Sequence, residues 1–312
     1  LVPDYKENYP HGIMFHRIHG EGSHHASISQ DLLEIIINKI DKNRIISPQS
    51  WIEKCENNNL RDTDICFTFD DGLKCQYKFA LPVLDKYNIK AFFFFHTKNF
   101  RNQYDYNELF LNLIYKNYSS FDNFYDRFER SLNIDNKLYD TNEYIKFYDD
   151  LSRKFDGYSE NEIKYRYLRN IYFSENDFNN KMMNFLSLNN SDHSYIDKIW
   201  MNQQDIQSLH KNGHSIGLHS HNHHLNFNDL SFYTQKDEYK VNKDILESII
   251  DDKIKTASHP LGKYNDDTLI ILQSLGIICS FRSNNFIPKN KDKINPTIYE
   301  IARNDVYNLI NN

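Results

Sequence analysis

Two almost continuously apolar segments, joined by one predicted helix, place the strongest constraint on how this chain can fold. Residues 64–69 read DICFTF, residues 89–96 read IKAFFFFH, and residues 73–88 between them read as a helix. A strand, a helix and a strand in this order form a βαβ unit, in which the two strands are parallel and the crossover is right-handed. Strands that are apolar on both faces are typical of a parallel sheet covered on both sides.

Outside one segment, predicted strands and helices continue to alternate along the chain. Short apolar strands are predicted at residues 12–18, 277–283 and 298–303. A strand that runs into a loop is predicted at residues 214–222, and a strand that ends at a proline-containing loop at residues 254–262. Helices are predicted at residues 27–40, 47–57, 202–213, 227–251 and 265–276. This alternation favours an α/β barrel or a doubly wound sheet. In both folds the reactive residues lie at the carboxyl ends of the strands.

The exception is a central segment with a different composition. Residues 100–198 are rich in Asn, Tyr, Asp and Lys, contain almost no Gly or Pro, and show helical patches with little strand character. We therefore predict one catalytic domain over residues 1–312, with a helical insertion at about residues 100–198.

Composition excludes several classes of protein. With 39% hydrophobic and 15% aromatic residues the chain is a folded globular protein, and its net charge of -6 argues against nucleic acid as the main partner. No apolar stretch approaches the length of a membrane span. Four cysteines without a CxxC pair indicate reduced thiols. Since no basic segment followed by an apolar stretch is visible at the start, we predict a cytoplasmic location.

Two adjacent carboxylates stand directly after the first apolar strand. Asp70 and Asp71 follow residues 64–69 and precede Gly72. Burying one carboxylate is costly, and a second carboxylate beside it adds repulsion. A solvated turn is the ordinary interpretation of a DDG sequence alone. A bound metal ion would instead neutralise the charge, which directs attention to other ligands in the chain.

A histidine cluster follows a later predicted strand. Residues 214–224 read HSIGLHSHNHH and contain five histidines: His214, His219, His221, His223 and His224. Two histidines four residues apart can bind one metal ion if the backbone turns between them, and two histidines with one carboxylate form a facial triad with open positions. Asp71, His219 and His223 supply that set. Zn²⁺ is the default ion, and Co²⁺, Ni²⁺ or Fe²⁺ fit the same ligands.

Other interpretations of the cluster remain open. A structural zinc site fills all four positions with protein ligands, and His221 or His224 could supply the fourth. A histidine cluster can also form a fortuitous metal site at the surface. Three ligands with one open position favour catalysis.

In these two stretches the sequence resembles the NodB-type polysaccharide deacetylases, carbohydrate esterase family four. TFDDG at residues 68–72 matches the family's first motif letter for letter, and HSHNH at residues 219–223 matches the second, His-Ser/Thr-x-x-His. The resemblance covers residues 10–98 and 198–305. It implies an α/β fold, a distorted (β/α) barrel of the NodB-homology type with a helical insertion. It also implies that Asp70 is the general base and that Asp71, His219 and His223 bind the metal.

The family's third motif, Arg-x-Pro-Tyr, is replaced here by SHPL at residues 258–261. The family uses the backbone N–H after the proline as an oxyanion donor, and Leu261 can supply that group. The missing arginine normally pairs with the base, and Arg303 is our candidate to replace it. The late Leu-x-His motif is absent, since no histidine follows His259.

The general acid must then come from another part of the chain. MFHRI at residues 14–18 resembles an early segment of a rearranged branch of the family, which includes exopolysaccharide deacetylases and takes its acid from that segment. His16 is therefore our candidate for the acid. A packed strand histidine is the competing interpretation.

The resemblance implies a metal-dependent hydrolase that removes an N-acyl group, most simply N-acetyl, from an amino sugar or glycan. The substrate would be an N-acylated sugar, nucleotide- or lipid-linked in a pathway of surface-glycan biosynthesis. A sugar deformylase or an O-deacetylase can use the same site chemistry. A catalytically inactive carbohydrate-binding homologue is the alternative from a different functional class.

Overall fold

The computed structural model describes residues 6–20, 27–154, 158–188 and 194–311. The chain divides into two compact units. The first unit consists of Leu1–Asp105 and Ile196–Asn312, and the second is Tyr106–Tyr195. The second unit overlaps the insertion expected at about residues 100–198, while the assignment of the whole chain to one catalytic domain stays a prediction.

The first unit is built around one sheet of seven parallel strands. Two short strands pair outside this sheet, so the described residues of the unit contain nine strands. In chain order they are β1 (His11–Phe15), β2 (Ile18–His19), β3 (Ile28–Ser29), β4 (Ile65–Phe69), β5 (Phe92–Phe95), β6 (Ser215–Leu218), β7 (Thr256–Ser258), β8 (Cys279–Phe281) and β9 (Arg303–Asp305). Strands β2 and β3 pair with each other. The other seven follow the order β8-β7-β6-β5-β4-β1-β9, and every pairing among them is parallel.

This sheet curls until its two edges nearly meet. Phe281 in β8 forms a parallel bridge with Ile301, which lies two residues before β9. The Ile301 N–H donates a hydrogen bond of 3.0 Å to the Ser280 carbonyl, and this bond joins the two edges. The predicted fold class, an α/β protein with a distorted (β/α) barrel, is confirmed.

Helices follow most of the strands. In the first unit they are α1 (Gln30–Lys39), α2 (Pro48–Glu56), α3 (Leu81–Lys86, after a π-helical turn at Gln76–Ala80), α9 (Ile196–Ile199), α10 (Gln203–Lys211), α11 (Phe232–Ile250), α12 (Asp266–Ser274) and α13 (Val306–Asn311). In the second unit they are α4 (Tyr106–Asn117), α5 (Phe121–Leu132), α6 (Asn142–Lys154), α7 (Glu160–Tyr167) and α8 (Glu175–Phe185). None of the helices in the described part of the chain combines the length and the apolar composition that a membrane crossing requires.

Side-chain caps explain where the helices begin. Ser29, Ser47 and Asn202 each precede a helix, and each side chain accepts a hydrogen bond from a backbone N–H in the first turn. Such caps satisfy N–H groups that have no partner inside the helix. The helix predicted at residues 27–40 therefore begins at Gln30, directly after Ser29.

The interior of the barrel is packed with aromatic rings. Strands β5 and β8 are separated by two strands in the sheet, yet the rings of Phe92 and Phe281 lie only 5.3 Å apart, so they meet across the interior. Phe94 also faces inward, and a Cβ on Gly217 would lie 2.4 Å from its ring. Glycine is therefore needed in β6 to leave room for this ring.

The second unit has an aromatic core of its own. Phe121, Phe124 and Phe128 lie on one face of α5 and pack against Tyr165 of α7, with ring centroids 5.3 to 6.4 Å apart. Phe178 of α8 lies 5.3 Å from the Tyr165 ring and completes the cluster. The i, i+3, i+7 spacing of the three phenylalanines on α5 produces this buried face.

Candidate active site

Polar side chains gather where the barrel strands end. Asp70 and Asp71 directly follow β4, His16 follows β1, His219 follows β6, and Ser258 is the last residue of β7. Because parallel strands bring their carboxyl ends to the same end of a barrel, these residues meet although they lie far apart in the sequence.

The sharp turn after β4 lets the two aspartates face different partners. Asp71 has a φ of 72° and Gly72 a φ of 62°, both in the left-handed region. A Cβ on Gly72 would lie 2.3 Å from the ring of Phe95, so only glycine fits there. A left-handed conformation is strained for a residue other than glycine, and such residues cluster at functional sites. The turn separates the Asp70 carboxylate from that of Asp71.

Asp71, His219 and His223 form a group that could hold a metal ion. The Oδ1 atom of Asp71 lies 3.4 Å from His219 Nε2 and 3.6 Å from His223 Nε2. The candidate ligand atoms of the three residues all lie within 4.8 Å of one another. Ser220 and His223 have φ values of 59° and 54°, and this left-handed turn brings the second ring back toward the first. The structure therefore places these three predicted ligands together.

The hydrogen bonds behind the two imidazole rings fit metal binding. His219 Nδ1 lies 2.9 Å from the Ser258 carbonyl oxygen, and His223 Nδ1 lies 3.1 Å from Asp105 Oδ2. Both partners accept hydrogen bonds, so Nδ1 of each ring donates, and Nε2, which faces Asp71, is the nitrogen left to bind a cation once it is deprotonated. Histidines that bind metals almost always donate the other ring N–H in this way. The residues present therefore fit a divalent ion.

The charges at this group also favour a cation. Burial opposes ionisation of Asp71, but the hydrogen bond from His219 and the charge of His223 outweigh it and hold the Asp71 pKa well below its usual range. Burial lowers the pKa of His223, but the hydrogen bond to Asp105 and the nearby Asp71 raise it overall. Asp71 is therefore an anionic ligand at neutral pH.

The remaining histidines of the cluster face other partners. His221 Nδ1 lies 2.9 Å from Thr97 Oγ1, and His224 Nε2 lies 3.4 Å from Glu238 Oε1. His214 lies before β6, and its Nδ1 accepts a hydrogen bond from the Ala91 N–H. Within residues 6–20, 27–154, 158–188 and 194–311, only Asp71, His219 and His223 form a candidate metal group, so no fourth protein ligand converges there.

Asp70 is buried in a bidentate pair with Arg303. Arg303 Nη1 and Nη2 each donate a hydrogen bond of 2.7 Å to the Asp70 carboxylate. Arg303 is fully buried, and Nη2 also donates to Ser258 Oγ at 2.8 Å. The register of β1 and β9 explains the contact, because Arg303 lies opposite Gly12 and a Cβ there would be only 3.1 Å from Arg303 Cγ. Burial opposes ionisation of Asp70, but Arg303 and then His219 lower its pKa overall.

His16 lies across from this pair. Its Nε2 atom is 4.0 Å from Asp70 Oδ2, and 30% of its side chain is exposed to solvent. Gln76 fixes the backbone on both sides, since its Nε2 donates to the carbonyl oxygens of His16 at 2.8 Å and of Asp70 at 2.6 Å. The partial exposure separates His16 from a packed core histidine.

The loop after β7 has an unusual conformation at Leu261. The turn at Pro260–Gly262 is closed by the N–H groups of Gly262 and Lys263, so it does not require the N–H of Leu261. Leu261 has a φ of 52°, in the left-handed region, and its side chain is 47% exposed. His259 is buried beneath the turn, where burial lowers its pKa to about 3.

Comparison with known families decides the identity of the chain. The family model described as polysaccharide deacetylase matches residues 57–120 and 175–279, which is more than half of the chain. The chain belongs to the polysaccharide deacetylase family. The resemblance found in the TFDDG and HSHNH motifs is thereby confirmed.

Solved structures of other deacetylases have a similar fold. The deacetylase PplD of Streptococcus pyogenes, solved with acetate, matches with a TM-score of 0.55 and 16% identity over 98% of both chains. IcaB from Ammonifex degensii matches with a TM-score of 0.52 and 13% identity over 95% of this chain and 92% of IcaB. A de-N-acetylase from Aggregatibacter actinomycetemcomitans matches with a TM-score of 0.51 and 13% identity over 95% and 93%. No curated protein matches the chain.

Several residues of this deacetylase site were not found from the sequence. Asp105 lies within the central segment of residues 100–198, where nothing in NQYDYNEL distinguishes it from a surface carboxylate. Glu238 and Asn242 lie four residues apart on α11: Glu238 accepts from the His221 and Asn222 N–H groups, and Asn242 accepts from the His219 N–H. The signal available in the sequence was this spacing of four residues, which places two polar side chains on the same face of one helix, where burial would require hydrogen-bond partners.

Proposed function

We propose that this polysaccharide deacetylase is a metal-dependent hydrolase that removes an N-acetyl group from an amino sugar of a glycan. One observation carries the proposal. The ligand group of Asp71, His219 and His223 lies beside a buried carboxylate, Asp70, whose Oδ2 atom is 3.9 Å from His219 Nε2. A metal ligand set next to a fixed carboxylate is the arrangement that metal-assisted hydrolysis requires.

Asp71, His219 and His223 would hold the ion, and Zn²⁺ is the default for two imidazoles and one carboxylate, with Co²⁺, Ni²⁺ or Fe²⁺ as alternatives. When bound, a divalent ion supplies Lewis-acid polarisation of the acyl carbonyl and lowers the pKa of water. The three ligands leave an open position, which distinguishes a catalytic site from a structural site with four protein ligands.

Asp70 acts as the general base. The bidentate bonds from Arg303 keep its carboxylate ionised and fix its orientation, and Ser258 Oγ adds a contact of 3.3 Å to Oδ2. Each carboxylate oxygen can accept more than one hydrogen bond, so Asp70 can still take a proton from the attacking water. Arg303 thus acts through Asp70 as a positioning residue.

The leaving amine needs a proton and the developing oxyanion needs a donor. His16 is the proposed acid, because its ring is partly exposed to solvent and its Nε2 atom lies 4.0 Å from Asp70 Oδ2. The backbone N–H of Leu261 is the proposed oxyanion donor. A main-chain donor does not depend on the side chain, so Leu261 can replace the tyrosine of the family motif.

Acetate release tests the proposal. Zinc-loaded protein is incubated with N-acetyl oligosaccharides, nucleotide-linked N-acetyl sugars and lipid-linked N-acetyl sugars, together with N-formyl and O-acetyl analogues. We expect release from an N-acetyl substrate by the wild-type chain and a near-complete loss in Asp70→Asn. Asp64→Asn, which changes a buried carboxylate one residue before β4, is the matched control and should stay active.

Release from the formyl or O-acetyl analogues alone would replace the N-deacetylase assignment with one of those activities. Equal release by the wild-type chain and Asp70→Asn would refute the assignment of the base. Binding of an oligosaccharide without release from any substrate, by a zinc-loaded chain, would identify an inactive carbohydrate-binding homologue and contradict the proposal.

A further inference from the structure

The two histidines of the proposed metal group are oriented by different kinds of acceptor. His219 donates to a neutral backbone carbonyl, that of Ser258 at 2.9 Å, whereas His223 Nδ1 meets the carboxylate of Asp105 at 3.1 Å. The side chains of His223 and Asp105 are each only 11% exposed. A hydrogen bond to a carboxylate is stronger than one to a neutral acceptor, and burial strengthens it further.

Asp105 lies behind the His223 ring and is not itself a ligand. Its Oδ2 atom contacts Nδ1, while Nε2 on the other side of the ring lies 3.6 Å from Asp71 Oδ1. The candidate ligand group accordingly contains Asp71, His219 and His223 without Asp105. The hydrogen-bonded route from Asp105 to a metal therefore runs through the imidazole of His223.

The backbone N–H groups of His219 and His223 have different partners. The His219 N–H donates to the Phe95 carbonyl at 3.1 Å and to Asn242 Oδ1 at 3.0 Å, at the end of a paired strand. His223 lies in a loop with a φ of 54°, and its N–H donates to Ser220 Oγ at 3.1 Å. These backbone contacts do not set the rotation of the imidazole, so the direction of the His223 ring depends on the contacts of its side chain.

A third ring limits His223 on another side. His96 follows β5, and its ring centroid lies 5.7 Å from that of His223. Burial lowers the pKa of His96 to about 3, so His96 is neutral and adds no positive charge beside the site. A flip of the His223 ring would turn Cδ2 and Cε1, in place of Nδ1 and Nε2, toward Asp105 and Asp71. The contact of 3.1 Å between Nδ1 and the Asp105 carboxylate favours the orientation that the structure shows.

We infer that Asp105 is a positioning residue for metal binding, which fixes the ring and the Nδ1–H tautomer of His223 so that Nε2 is available as a ligand. This inference rests on the proposed function. It adds a residue outside the two sequence motifs to the machinery of the site, and it predicts that one imidazole depends on a carboxylate while the other depends on the backbone.

Zinc affinity measures this role without an assay of activity. We expect Asp105→Ala to weaken zinc binding by about 10- to 100-fold, the usual cost of losing such a partner. Asp105→Asn keeps an acceptor oxygen without the charge, and its affinity should lie between those of Asp105→Ala and the wild type. Competition with a chromophoric chelator gives the affinities, and the visible spectrum of the Co²⁺-loaded protein reports the change in ligand geometry.

Asp64→Asn is the matched control, because it removes a buried carboxylate in the same unit and should leave zinc affinity unchanged. The thermal midpoint of each metal-free variant separates a folding defect from a loss of affinity. Wild-type affinity, within twofold, and an unchanged Co²⁺ spectrum in Asp105→Ala and Asp105→Asn would overturn the inference while leaving the proposed function intact. Absence of zinc binding by the wild-type chain would overturn both.

Discussion

The burial of the ion pair between Asp70 and Arg303 allows a prediction about the free energy of unfolding. Arg303→Met keeps much of the length of the side chain and removes its charge, so the Asp70 carboxylate loses the partner that holds both of its oxygens. The substitution also removes the donors to Ser258 and Thr68. The variant therefore leaves a buried charge without compensation, which is more damaging than replacing the whole pair.

The magnitude follows from the burial of the two groups. The side chain of Arg303 is 0% exposed and that of Asp70 is 3% exposed. Two unit charges about 4 Å apart attract by about 4 kcal/mol at an effective dielectric constant of about 20. Breaking a buried pair from one side costs about 3–5 kcal/mol. We expect the free energy of unfolding of Arg303→Met to fall by that amount.

Urea denaturation followed by circular dichroism measures the change. Arg61→Met is the matched control. Arg61 contacts the buried Asp64 at 3.4 Å from a side chain that is 68% exposed, and Asp64 keeps Lys54 as a partner at 2.7 Å, so we expect a loss of at most about 1 kcal/mol. When Arg303→Met is added to Asp70→Asn, the further loss in the free energy of unfolding should be much smaller. A loss below about 1 kcal/mol for Arg303→Met alone would refute the reasoning. An equal loss in the wild-type and Asp70→Asn backgrounds would also refute it.

Three further predictions concern other residues. Gly72→Ala places a Cβ 2.3 Å from a phenylalanine ring and should destabilise far more than Gly276→Ala, which has a similar φ of 76° and no atom within 4 Å; equal urea midpoints would contradict this. Burial lowers the pKa of His11 and His214 to about 4, below the value in the unfolded chain. The free energy of unfolding should therefore be unaffected by these histidines above about pH 6.5 and fall between pH 6.5 and pH 4, by up to about 1.4 kcal/mol per pH unit for each histidine. A urea midpoint that rises on acidification would contradict this. Leu261→Gly keeps the N–H and suits a φ of 52°, so acetate release should stay within about threefold, whereas a loss of about 100-fold would show that the side chain is needed.

The sheet could be predicted from the sequence because parallel strands buried on both faces leave a continuous apolar signal. DICFTF and IKAFFFFH became β4 and β5, and the helix expected at residues 73–88 formed as a π-helical turn at Gln76–Ala80 followed by α3 at Leu81–Lys86. The residues at which strands pass into loops were not predicted. The strand expected to run into a loop within residues 214–222 ends at Leu218, and the one expected to end at a loop within residues 254–262 ends at Ser258. Left-handed residues after these ends turn the backbone into the site, and periodicity carries no information about them.

The strand expected at residues 298–303 was displaced along the chain. Strand β9 begins at Arg303, and Ile301 forms only an isolated bridge to β8. The segment before it turns, with the Glu300 N–H donating to the Thr297 carbonyl. This displacement places Arg303 opposite Gly12, where its side chain can extend to Asp70.

The site itself was predictable only where its residues lie in recognisable motifs. Asp71, His219 and His223 follow strands and have typical ligand spacing, and the structure places them together. Asp105 and Gln76 act through contacts of 118 and 60 residues in sequence separation, which no local pattern encodes. The cytoplasmic location and the type of sugar stay predictions.

The zinc content of two single variants tests the central claim most directly. His219 and His221 are two residues apart in the same loop, but only His219 belongs to the candidate ligand group, while His221 contacts Thr97. After zinc loading and dialysis, we predict one zinc per chain in the wild type and in His221→Ala, and none in His219→Ala. Retention of zinc by His219→Ala, or its loss from His221→Ala, would contradict the account.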